Sequence, residues 1–383
     1  MRELGEKILA VAEEEKEAML SFLLELASME SPSDEPEAQV PVQAFLTSAL
    51  EDLGYRVRKV SGKRSGGFIF ATPRERIRGR TAQLLLGHCD TVWKKGTLET
   101  MPLILEGNRL RGPGVFDMKA GLAQMIFALK ILRKLGVEPE VTPVILVNSD
   151  EEMGSPESTP AIGRVARRVI RAYLPEPAMG EEGKLKTVRK GMSRFRIRVV
   201  GKAAHAGLDP EGGASAILEL AHVIRTLHSM TDLARGVTVN VGVVSGGTRA
   251  NVIAPEATAE VDLRMLSKQD GDEVEARIRT LPTTVPGTRL EIEGGMLMAP
   301  MERTPRNRDL WEAARRAAED LGMTLEETMV GGGSDGNTTS QFTATLDGLG
   351  AVGDGAHASH EFLYVDRQVE RCALLARLLL LAP

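Results

Sequence analysis

The stretch that most restricts this 383-residue chain is 84–92, Leu84-Leu85-Leu86-Gly87-His88-Cys89-Asp90-Thr91-Val92. It reads as a buried strand whose apolar run stops at an imidazole and a carboxylate two positions apart. Side chains alternate along a strand, so His88 and Asp90 point to one face and Cys89 to the other. The pair suits metal binding, because one ring nitrogen can ligate while the carboxylate accepts the other N–H or ligates itself. It suits equally an ordinary hydrogen-bonded histidine at a strand end.

Size and composition limit the alternatives. The length exceeds that of a single core, so two domains are expected. A 42% hydrophobic and 26% charged chain is typical of soluble globular proteins, and a net charge of −5 with mixed signs argues against nucleic acid as main partner. Cys89 and Cys372 alone allow no disulfide framework, which points to a reducing compartment and a cytoplasmic protein. The first residues lead into a Glu-rich helix rather than a signal-peptide core, and no apolar run is long enough to span a membrane.

Apolar spacing predicts a helix pair over 3–30 and a helix over 36–53 closed by Gly54, then strands at 55–60, 68–71 and 84–87. Strands alternating with helices indicate an α/β sheet, mixed and mostly parallel, with helices on both faces. Ligands of such sheets sit beyond the carboxyl ends of the strands, where His88 and Asp90 lie.

Further polar groups follow later strands. Asp117, in a glycine-rich segment, precedes a helix expected over 118–135, where it is either an N-cap or a ligand approached closely by backbone. The strand 141–147 runs into Asp150-Glu151-Glu152, either a solvated acidic loop or carboxylates that a cation must compensate. A helix is expected over 160–173, after which Glu176 stands between two prolines, in a backbone that suits a ligand or an exposed turn.

At 193–200 the pattern changes to regular alternation, with Arg194, Arg196 and Arg198 on one face, as in a one-sided antiparallel strand. Strand, helix, two strands, helix and strand then follow, the split βαβ order of a small ferredoxin-like α+β layer. The expected division is one α/β domain from 1–185 and 299–383, interrupted by an inserted domain at 186–298 that would serve as a lid and dimerisation domain. Gly331-Gly332-Gly333 is either a hinge or a loop whose N–H groups hold an oxygen.

Together these stretches resemble the M20 family of metallopeptidases, in its glutamate-carboxypeptidase-like branch. The resemblance rests on 87–92, 112–121, 150–155, Glu176-Pro177, Gly201-Lys202-Ala203-Ala204-His205-Ala206-Gly207, 332–336 and 357–361, in that order. It implies a zinc-peptidase-like fold and hydrolysis of a peptide or N-acyl amino acid, by a carboxypeptidase, aminoacylase or dipeptidase.

It further implies two Zn2+ per subunit, with Co2+ or Mn2+ as substitutes. His88, Asp117 and Glu152 would serve one ion, and Asp117, Glu176 and His357 the other. Asp90 would orient His88, and Glu151 would be the general base. Two divalent cations would balance three ligating carboxylates and one hydroxide, leaving Glu151 to take a proton. His360 competes with His357 on sequence alone; the family's spacing of histidine to a glutamate four residues on is met by His357 and Glu361. His205, Asn251, Arg264, Gly332 and Gly333 would contact substrate, His205 either across a homodimer formed by 186–298 or by closure of the same chain's domain, with a structural role the alternative for Arg264. Met298 stands where members that bind a C-terminal carboxylate often carry an arginine.

Overall fold

The computed structural model describes residues 2–75 and 79–383. They form two compact units, one of residues up to Thr187 with Arg303–Met329 and Ser334–Pro383, the other of Val188–Glu302 with Val330–Gly333. The limits thus fall at Val188 and Glu302 where strand pattern suggested 186 and 298, and part of the triple-glycine segment joins the second unit.

The first unit is built on a six-stranded sheet in the order Tyr55–Val60, Phe68–Pro73, Thr142–Asn148, Ala82–His88, Arg171–Tyr173 and Ala344–Leu346. The last four are parallel, and Phe68–Pro73 runs antiparallel to both its neighbours. Every residue of Ala82–His88, Thr142–Asn148 and Arg171–Tyr173 is buried, because helices cover both faces. The two-residue period sends Leu85 and Ile145 into the main core and Leu84, Leu86, Val144 and Leu146 into a smaller one under helix Thr159–Ala166.

Two expectations are corrected here. The helix expected to reach 173 ends at Ala166, and Ile170 N bonds the Ala82 carbonyl at 2.9 Å, drawing Arg171–Tyr173 into the sheet. The helix expected from 118 begins at Ala120. The residue at the cap position of that helix is Lys119, so Asp117, with φ −117 and ψ 103, is not its N-cap. A second small sheet of Gly353–Asp354, Phe362–Tyr364, Arg109–Arg111 and Ile104–Glu106 has strands too short to show a period.

The second unit is an antiparallel sheet in the order Thr238–Gly246, Glu256–Met265, Gly191–Val200, Arg289–Met298. Helices Ala216–His228 and Lys268–Arg279 cover its apolar face, where Phe195, Ile197, Val199, Val261 and Leu263 meet Val223, Leu227 and Ile278. The arginine face is not a bare cationic surface. Arg196 lies opposite Glu260 and Glu293, Arg194 opposite Asp262, and Arg198 bonds Glu256 and Glu291, each at 2.7 Å. Cross-strand charge pairing therefore lets three cations share one strand face. Among the described residues no helix is long and apolar enough to cross a membrane.

Candidate metal centre

Three neighbouring parallel strands end on the same side of the sheet, and each delivers polar groups there. Ala82–His88 ends in His88 itself, Thr142–Asn148 leads into Asp150, Glu151 and Glu152, and Arg171–Tyr173 leads into Glu176. His88 Nε2 lies 3.3 Å from Asp117 Oδ1, 3.6 Å from Glu176 Oε1 and 4.0 Å from Glu151 Oε2. On the far side of Asp117, His357 Nε2 lies 3.5 Å from Oδ2 and 2.9 Å from Glu152 Oε2. Asp117 thus offers one oxygen to each histidine. Glu176 stands with His88 and Glu152 with His357, whereas sequence expectation had exchanged the two glutamates. At the same time single ligand atoms of His88, Asp117 and Glu152 lie within 4.8 Å of one another, so the two groups are contiguous.

His360 is exposed, and His357 is the histidine found at the carboxylates. Asp90 lies 3.5 Å from His88 Nδ1, but the same nitrogen is 3.0 Å from the Asp90 main-chain oxygen. The Asp90 carboxylate also accepts from Ser33 Oγ at 2.7 Å and from the N–H groups of Glu151 at 3.3 Å and Glu152 at 3.2 Å. It therefore ties the His88 strand to the Glu151 loop. Asp150, the first of the three acidic residues, turns away and accepts from Glu157 N, Ser158 N and Ser158 Oγ.

Crowding of carboxylates out of water shifts their titration. Burial pushes Glu151 well above the usual carboxylate range, countered by His88 and reinforced by Glu176. Burial also raises Glu152. For Asp117 burial acts in the same sense, but hydrogen bonds from His357 and His88 outweigh it and hold the group low. Burial opposes the charged form of His88, yet Asp117 and Asp90 raise it well above its ordinary value, and Asp117 with Glu152 raise His357 to about 10. In the metal-free cluster both histidines therefore favour their protonated forms, and together they keep Asp117 ionised.

The residues fit a pair of divalent ions. Glu152 Oε1 is buried with no hydrogen-bond partner, which is costly unless something else meets it. Imidazole and carboxylate donors are what zinc takes, and Asp117 has an oxygen for each of two sites.

The remaining candidates lie in the second unit. His205 forms a β-bridge with Val252, and Ala206 N bonds Asn251 O at 3.0 Å, so His205 and Asn251 occupy adjacent, exposed segments. Gly207 N and Leu208 N both donate to His205 Nδ1 at 3.2 Å, which leaves Nε2 as the N–H. Arg264 donates to Asp262 at 2.8 Å within its own strand. Met298 ends the strand Arg289–Met298. The Gly332 and Gly333 carbonyls accept from Arg189 at 3.2 and 3.1 Å, and Gly331 and Gly332 have open space around their Cα atoms.

Several contributors carry no signal in sequence. Arg371, fully buried in helix Val365–Leu379, donates to the carbonyls of Gly183, Gly348, Leu349 and Gly350, and Gly350 N bonds Glu176 O at 2.8 Å. A Cβ on Gly121 would lie 1.9 Å from the Pro175 carbonyl, so glycine lets the Ala120–Leu135 helix abut the Glu176 segment. Lys186 adds a positive charge that helps keep Asp117 ionised.

The chain is 28% identical over 379 residues to carboxypeptidase G2 of Pseudomonas sp. (strain RS-16), covering 96% of this chain and 90% of that one. Its fold is shared with aminopeptidase PepT of Bacillus cereus (TM-score 0.80, 22% identity, 95% and 98% of the two chains). It is shared also with the Bacillus subtilis YXEP protein, described as a dinuclear metal-binding peptidase of the M20 family (TM-score 0.67, 16% identity, 95% and 97%). Residues 84–381 match the model of peptidase family M20/M25/M40, and the chain belongs to that family of metallopeptidase-type hydrolases.

Proposed function

We propose that the protein hydrolyses the amide bond of a peptide or N-acyl amino acid, with His88, Glu176 and Asp117 as the residues that would hold one Zn2+ and His357, Glu152 and the shared Asp117 those that would hold another. The observation that carries this reading is the pairing of each histidine with its own glutamate across a shared Asp117. Divalent ions bound there would activate water and polarise the scissile carbonyl. Glu151 then acts as general base. It lies beside the cluster, its pKa is raised by burial, and it has no ligand role in either site. After taking the proton of the attacking water it returns it to the leaving nitrogen. Asp90 positions His88 and the Glu151 loop together.

His205, presenting Nε2–H, and the neighbouring Asn251 donate to the developing oxyanion. The Gly332–Gly333 backbone, held through its carbonyls by Arg189, contributes substrate contacts. Arg264 holds its strand through Asp262. The protein acts as a cytoplasmic homodimer built on the second unit. Its edge strand Thr238–Gly246 exposes Val243 and Val244, and helix Ala216–His228 exposes Ile217 and Leu218. Apolar groups on an unpaired strand edge favour pairing with a second copy.

Met298 supports a second reading within the same chemistry. Without the arginine common in members that bind a C-terminal carboxylate, an N-acyl amino acid or dipeptide is the alternative to a longer peptide with C-terminal glutamate. Purified protein loaded with Zn2+, then with Co2+ and Mn2+, should be assayed against N-acyl amino acids, dipeptides and C-terminal glutamyl peptides. Hydrolysis of one class decides between the readings, and no hydrolysis of any by protein holding two ions would overturn both.

A further inference from the structure

The loop that carries Asp117 is held by a carboxylate that takes no part in the chemistry above. Glu361 is fully buried and has no salt-bridge partner among the described residues. Four N–H donors converge on it instead. Oε1 accepts from Phe116 N at 2.9 Å and Asp117 N at 3.1 Å, and Oε2 accepts from Gly114 N at 2.9 Å and the Trp93 indole at 2.8 Å. The backbone continues the join, since Gly112 N donates to Glu361 O at 3.2 Å and Glu361 N donates to Ala358 O at 2.9 Å. Three loops meet here: one following His88 and Asp90, one presenting Asp117, one presenting His357.

A buried carboxylate is tolerated only when its lone pairs are filled, and this one is filled entirely by donors that belong to the site's loops. Gly112 at φ 149 and Gly114 at φ 71 give the backbone the turn that aims these N–H groups at one point. One donor is the N–H of Asp117, whose two side-chain oxygens reach His88 at 3.3 Å and His357 at 3.5 Å. Any drift of the loop therefore moves both oxygens at once. Here a neutral amide of the same shape would turn its NH2 toward two N–H donors in either orientation, opening the Phe116 and Asp117 pair or the Gly114 and Trp93 pair.

We propose that Glu361 is a positioning residue of the two-ion centre, fixing Asp117 between His88 and His357 through backbone N–H groups. This rests on the two-ion reading above. The test uses full-length protein, with Co2+ as a spectroscopic metal. Glu361→Gln should remain folded by circular dichroism yet bind Co2+ roughly 10–100-fold more weakly than the unchanged protein. Its visible Co2+ bands should change in position or intensity, and the Trp93 indole N–H resonance should move. Glu361→Asp, which keeps the charge and both oxygens, should recover part of the affinity. A merely structural role would lower the thermal midpoint of the metal-free protein and leave Co2+ affinity and bands unaltered in the folded fraction. That outcome would overturn the proposal; if Glu361→Gln does not fold, unaltered affinity and bands in Glu361→Asp would do the same. Failure of the unchanged protein itself to bind two Co2+ ions is a different result, and it would remove the two-ion reading on which the proposal stands.

Discussion

The two units treat charge in opposite ways. In the first, strands buried on both faces end in polar side chains with little water around them, and burial and close neighbours displace the titration of His88, Asp117, Glu151 and Glu152. In the second, arginines and glutamates alternate with apolar residues along one-sided strands and pair where solvent screens them. Carboxylates are thus strongly shifted in one unit and paired near solvent in the other. The cause is the number of faces each sheet has covered, rather than composition.

The contrast is broken most severely at the base. Glu151→Gln should lower turnover by about 10²–10⁴-fold while both ions stay bound, because the amide keeps the shape and cannot take a proton. Near-normal turnover at two zinc per chain would return Glu151 to a structural role. His205→Ala, in the second unit, should lower turnover by about 10²–10³-fold, again with both ions present. Mixing it with Glu151→Gln under subunit exchange should recover part of the activity if the contact crosses a dimer. No recovery after proven exchange would place the contact within one chain.

Removing one ligand should separate the two sites. Glu176→Ala should release the ion beside His88 and keep the other, to be read by metal analysis after dialysis; two retained ions would make Glu176 a structural turn. Metal uptake should also be linked to protons. His357 in the metal-free protein is raised from 6.5 to about 10, so its contribution to stability is complete below pH 6.5 and lost as pH climbs through about 10. Below that window Zn2+ must displace the proton, and apparent affinity should rise with pH, with proton release visible by calorimetry in buffers of different ionisation enthalpy. The smallest effect is expected at the exposed ladder, where Arg198→Ala should leave both turnover and the thermal midpoint unchanged within error.

Much of this was legible because pattern and chemistry coincide. The all-apolar run before His88 reads as a buried strand, and the structure covers it on both faces, with its polar end on the side where the other strands deliver theirs. The alternation at 193–200 likewise announces a one-sided strand. Arg171–Tyr173 escaped because three residues are too few to separate a strand from the tail of a helix. Whether Asp117 caps the following helix stayed open in the sequence, because its distance from that helix depends on local dihedrals, which spacing does not reveal.

What the amino-acid order determined by itself was which residues are available and at which strand ends they emerge: His88, Glu151, Glu152 and Glu176 each follow a buried run closely. Which glutamate faces which histidine was decided only by tertiary structure. His88 and Glu176 are far apart in sequence, and they meet because Arg171–Tyr173 pairs directly with Ala82–His88 in the sheet. Asp150 could turn away from its two acidic neighbours only because Ser158 and Glu157 were folded beneath it to receive it. Glu361 became an anchor only when three separate loops aimed their N–H groups at one point. Propensity and periodicity act over a few residues, whereas these contacts are long-range and are fixed by how the elements pack.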